Sequence, residues 1–137
     1  MMLSIVGGKD SYLRNKLLDH VLGGGDFARP ATVYIALYSA LADDGAYTEA
    51  AGGGYARLAV TNDATNWPAA TGDVKRNGTA LNWAAASSSI GAIVGAGIHD
   101  AASGGNRLYY GPFGSAFIWN VGQTFTIPAN SAVFTEH

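Results

Sequence analysis

Apolar residues fall at helical spacing over residues 10–22. Leu13, Leu17 and Val21 stand at i, i+4 and i+8 with Leu18 and Leu22 beside them, and Arg14, Asn15, Lys16 and Asp19 occupy the other face. Asp10 or Ser11 can cap the start. Gly23-Gly24-Gly25 stops the helix, because glycine takes the left-handed cap without strain. His20 lies near the C-terminal end, where it suits the helix dipole. Such a stripe packs on its own domain or docks on a neighbouring subunit.

After Pro30 the period changes to two. Val33, Ile35 and Leu37 point one way, and Thr32, Tyr34, Ala36 and Tyr38 the other, which predicts a strand. A loop over 40–54, with Asp43-Asp44-Gly45 and Gly52-Gly53-Gly54, leads to a second strand over 55–61. A long connection over 62–72 contains Trp67-Pro68. Asn77-Gly78, between Val74-Lys75-Arg76 and Thr79-Ala80-Leu81, predicts a tight hairpin, since both residues tolerate positive φ. A strand over 90–100 carries Gly91, Gly95 and Gly97, small residues that mark bulges or close backbone approach. Ser103-Gly104-Gly105-Asn106 turns it into 107–111, and short strands follow at 124–127 and 132–135. The expected fold is mainly β: an antiparallel β-sandwich or barrel of seven to eight strands with one N-terminal α-helix. It forms a single domain over 1–137, with the helix at about 10–22 and the β-domain at about 31–135.

Composition narrows the function classes. Apolar residues make up 48% and charged residues 13%, against roughly 25% charged in ordinary globular proteins. That profile excludes a disordered tail. Eight Lys and Arg against ten Asp and Glu leave a net charge of −2, so no basic field exists for nucleic acid. The absence of cysteine removes disulfides, zinc–thiolate sites and thiol nucleophiles. The start, Met1 to Lys9, lacks the basic region of a signal peptide. The uncharged stretch over 77–98 is too rich in Asn, Ser and Gly to cross a membrane, so a soluble protein is expected. Fifteen of the eighteen charges lie in residues 1–76, and 108–135 carries none, although it holds seven aromatic residues. A half so poor in charge is expected to be covered by self-association or docking.

Candidate chemistry is sparse. Gly7-Gly8-Lys9-Asp10 lacks the first glycine and the Ser/Thr of a phosphate loop. His99-Asp100 is the one adjacent His–carboxylate pair, but neighbouring strand residues point to opposite faces, so Asp100 is expected to cap the following turn. Histidines at 20, 99 and 137 have no metal spacing. Asp43, Asp44 and Glu49 read as an acidic solvated loop rather than a calcium site. No catalytic residue, cofactor or metal-ligand set emerges, and an enzyme is not expected.

Four segments nonetheless carry a resemblance. They are Ser11-Tyr12-Leu13-Arg14-Asn15-Lys16-Leu17-Leu18-Asp19-His20-Val21-Leu22-Gly23-Gly24, Ala31-Thr32-Val33-Tyr34-Ile35-Ala36-Leu37-Tyr38 and Gly52-Gly53-Gly54-Tyr55-Ala56-Arg57. The fourth runs from Gly97-Ile98-His99-Asp100 through Leu108-Tyr109-Tyr110-Gly111 to Gly122-Gln123-Thr124-Phe125-Thr126-Ile127-Pro128. Together they resemble a small virion structural protein family of tailed bacteriophages, commonly labelled phage tail fibre protein, some of whose members decorate the capsid. The chain departs from that family at Trp83-Ala84-Ala85-Ala86-Ser87-Ser88-Ser89, where members tend to have a threonine-rich hairpin. The resemblance implies a virion location and no catalytic residues or cofactors. The expected role is a capsid decoration or cement protein, assembled in the bacterial cytoplasm, that binds the major capsid protein or another virion protein as a homotrimer. A tail fibre or baseplate component is the alternative. From another class, a carbohydrate-binding module would stack sugars on Trp67, Trp83 and Trp119. The candidate subunit or capsid interface consists of Leu13, Leu17, Trp83, Tyr109, Phe117 and Trp119.

Overall fold

Asp10 caps the helix, as its side chain allows. In the computed structural model, which describes residues 8–136, α1 runs over Ser11–Val21 and the Asp10 carboxylate accepts from the Ser11 N–H at 2.7 Å. The same carboxylate accepts from Arg107 Nε at 3.0 Å, so one side chain both starts the helix and ties it to the sheet. At the other end the Gly24 and Gly25 N–H groups close on the Asp19 carbonyl, with Gly23 at φ +115°. Only a residue without Cβ takes that turn at no cost. The readings over residues 1–7 and at His137 lie outside the described residues.

Nine strands follow among the described residues: β1 (Thr32–Leu41), β2 (Tyr47–Glu49), β3 (Leu58–Thr61), β4 (Val74–Arg76), β5 (Leu81–Trp83), β6 (Gly91–His99), β7 (Arg107–Trp119), β8 (Phe125–Ile127) and β9 (Val133–Thr135). The ninth, beyond the seven or eight expected, is β2, which lies inside the stretch read as loop. The order β2-β1-β6-β7, with β3 also on β1, makes a five-stranded sheet. The ribbons β4-β9 and β5-β8 are separate two-stranded sheets, and all pairing is antiparallel. Inward side chains of the ribbons share one core with Val33, Ile35, Leu37, Ile93 and Ile98 of the sheet, consistent with the expected β-sandwich. No helix among the described residues is long and apolar enough to cross a membrane.

Three departures from the sequence reading have physical reasons. The hairpin at Asn77-Gly78 does not form. The strand before it pairs with β9 and the strand after it with β8, and Asn77 is buried with negative φ. Its side chain acts as a strut: Nδ2 donates to the Thr79 and Pro128 carbonyls, and Oδ1 accepts from the Ala132 N–H. Second, β7 runs on to Trp119, past the expected end at 111. Its pairing with β6 jumps from Pro112 to Phe117, a wide bulge that hides the strand's period. Third, the outward face of β1 is also covered, with Ala36 and Tyr38 fully buried. Gly97 makes this possible, since a Cβ there would overlap the Tyr38 hydroxyl.

Candidate functional site

Two places in the fold gather side chains that could do work. The first is a polar cluster on the face of the sheet opposite the apolar core. Register sets Tyr34 against His99 and Tyr38 against Gly95, so Tyr38 and His99 share that face, and the Tyr38 hydroxyl meets His99 Nε2 at 2.7 Å. Tyr47 of β2 stacks on Tyr38 at 4.5 Å. The Arg107 guanidinium lies 3.9 Å from the Tyr110 ring centre and 4.7 Å from that of Tyr47. Beside this group Arg57 grips Glu49 through Nη2 at 2.9 Å and Nε at 3.0 Å, and Tyr55 donates to Glu49 at 2.7 Å while accepting from the Leu37 N–H at 2.9 Å. Arg57 Nη1 also donates to the Ala101 and Gly104 carbonyls, which pins the turn after β6.

The electrostatics of this cluster follow from burial. His99 is pushed down to about 4, first by burial and then by the Arg57 charge. Burial likewise drives the Tyr38 and Tyr55 hydroxyls up. Burial raises the Glu49 carboxyl, but the hydrogen bonds from Arg57 and Tyr55 outweigh it and hold the group below its ordinary value. His99 thus stays neutral at pH 7 and has a tyrosine, not a serine or threonine, on its Nε2. Asp100 turns away to accept from the Asn106 N–H at 2.7 Å and Nδ2 at 3.0 Å, capping the turn. Nor does Glu49 belong to a solvated acidic loop, since Arg57 and Tyr55 claim it. The cluster is a clamp that closes one sheet face.

Its effect on stability has a definite sign. A histidine whose folded value lies below its unfolded 6.5 resists the proton only in the native state. Stability is therefore full above 6.5 and falls as the pH drops towards 4, by about 3 kcal/mol at most. Urea midpoints at pH 7 and 4.5 should record this loss, and His99→Asn should flatten much of it. An unchanged slope in the variant would assign the effect elsewhere.

The second place is an apolar groove of about 770 Å³ beside α1. The helix docks by one end only. Leu13 is 3% exposed and Leu17 half-buried, whereas Leu18, Val21 and Leu22 are 60%, 75% and 72% exposed. Leu13, Leu17, Val33, Trp67, Leu108 and Phe134 line the groove, with Arg29, Lys75, Asp63 and Asp73 among its charged lining residues. Asp63 orders the near wall by accepting from the Thr65 and Asn66 N–H groups, and Trp67 meets Phe134 edge-on at 6.1 Å. Glu136, also on the groove, is ion-paired with Lys9.

The six residues expected at an interface divide between these surroundings. Leu13, Trp83 and Trp119 are buried in the chain's own core; Leu17, Tyr109 and Phe117 are half-buried and pack against it. Leu13, Leu17 and Tyr109 meet at the groove, while Trp83, Phe117 and Trp119 gather around Phe125 at the other end of the core. Aromatic residues of the charge-poor half, among them Phe113, Trp119, Phe125 and Phe134, therefore cover one another. Trp67 is buried as well, so none of the three tryptophans offers the open ring face that a sugar-stacking platform needs. The residues that sequence reasoning missed are Leu18 and Leu22, read only as neighbours of the stripe. Five apolar positions make it wider than a single line of contact with the sheet.

Comparison with known proteins adds the biological frame. The family model described as podophage GP4 fiber I protein gp80 matches residues 8–135. No curated protein matches the chain.

Proposed function

The chain belongs to the family of the podophage GP4 fiber I protein gp80, a phage virion structural family of fibre type, and from that premise we propose that it is a non-enzymatic virion component working as a homotrimer fixed to another virion protein. The observation that carries this reading is the exposed helix end, with Leu18, Val21 and Leu22 in water beside an apolar groove. Contiguous apolar surface of this kind marks an interaction site. The polar side chains that might serve catalysis are instead committed to one another in the Tyr38–His99 and Glu49–Arg57 clamp. The fibre named in the family description favours a place on the tail. A second reading sets the same trimer on the capsid exterior as a cement, binding the major capsid protein and stabilising the lattice by mass action. It is favoured by the packing of the described strands around one core with no shaft-like repeat.

Gold-labelled antibody on intact particles separates the two. Label on tail appendages, and its absence from heads purified without tails, is the expected result. Label spread over tailless heads would establish the capsid reading, and particles without label would remove both.

A further inference from the structure

We infer that the raised end of α1 in one copy seats Leu18, Val21 and Leu22 in the groove of the next copy, joining the chains head to tail. This rests on the homotrimer reading above. A ring of three needs a heterologous interface, made from two different patches of the same chain. The helix end and the groove are two such patches. Leu18, Val21 and Leu22 stand at i, i+3 and i+4 and form one apolar ridge. That ridge is exposed and so does not fill its own chain's groove, which Leu13 and Leu17 line from the same helix.

Charge completes the match. Arg14 and Lys16 flank the ridge on α1, and Asp63 and Asp73 line the groove. None of the four forms an ion pair among the described residues. Seating the helix in a neighbour's groove brings the two basic residues to the two acidic ones while the apolar ridge leaves water. A second copy therefore supplies both the shape and the charge that the groove lacks, and a net charge of −2 per chain sets little repulsion against it.

The chain has no cysteine, which makes the contact directly testable. Single variants Val21→Cys and Ala69→Cys, the latter on an exposed groove residue, are mixed, allowed to exchange and oxidised mildly. The expected product is a mixed 21–69 disulfide, identified in digests by mass spectrometry and lost when Leu18→Asp is added to the Val21→Cys chain. Disulfides joining 21 only to 21 would mean helix against helix and overturn the inference, as would no disulfide at all. In parallel, Val21→Asp, at an exposed position that folding does not need, should weaken self-association about 100-fold with an unchanged circular dichroism spectrum. If the unmodified protein is a trimer but Val21→Asp leaves it so, the helix-in-groove contact fails and the homotrimer reading stands. If the unmodified protein is monomeric, the homotrimer reading itself fails.

Discussion

Asn77→Leu should destabilise the protein by about 4 kcal/mol, a large effect for one substitution at a site that touches no partner. Leucine has a similar volume, so the loss comes from hydrogen bonding. The side chain donates to the Thr79 carbonyl at 2.9 Å and the Pro128 carbonyl at 3.0 Å, and accepts from the Ala132 N–H at 2.9 Å. The residue is 0% exposed, so water cannot replace these partners. Each orphaned group costs about 1–3 kcal/mol. The same residue joins the ribbons β4-β9 and β5-β8 to the segment between β8 and β9, so its loss should loosen all three together. Urea unfolding followed by tryptophan fluorescence measures the effect. A shift under about 1 kcal/mol would mean that backbone pairing alone holds the ribbons.

Phe125→Ala should cost a similar amount, about 3–5 kcal/mol, for the opposite reason. Phe125 is fully buried, with the rings of Phe117, Trp83, Trp119 and Phe113 centred 5.0, 5.4, 5.7 and 6.0 Å away. Truncation opens a cavity walled by large, stiff rings that cannot collapse into it. Phe125→Leu keeps most of the volume and should recover more than half of the loss. Equal losses in the two variants would point to ring–ring geometry rather than to the cavity. The Trp83 and Trp119 indoles border the site, so their fluorescence reports the change directly.

Much of this architecture is written locally in the sequence. The two-residue alternation of Val33, Ile35 and Leu37 locates β1, and Asp10 and the triple glycine bracket α1. Asp100 caps its turn as a short acid before a glycine-rich segment should. What stayed hidden depends on contacts distant in sequence. Asn-Gly is a turn signal because both residues tolerate positive φ, but here the flanking segments pair with strands about fifty residues on, and those ladders win over the local hairpin. Tyr38 and His99 lie 61 positions apart, so no local pattern foretells their hydrogen bond or the burial of both faces of β1.

The candidate contact surface was legible only in part, for a related reason. A helical stripe records which side chains are apolar, not where the helix lifts from the sheet. Leu13 and Val21 belong to one stripe, yet one is 3% and the other 75% exposed. The charge-poor C-terminal half was an ambiguous sign too. Phe113, Trp119, Phe125 and Phe134 spend it largely on the chain's own core, and the exposed apolar ridge lies on the helix in the more highly charged half. Composition cannot distinguish surface covered by a partner from an unusually aromatic interior.

Sedimentation equilibrium on the purified chain at micromolar concentration tests the central claim, a virion component that works as a homotrimer. The account predicts a single species at three times the chain mass. A species at one chain mass across the whole concentration range would contradict it.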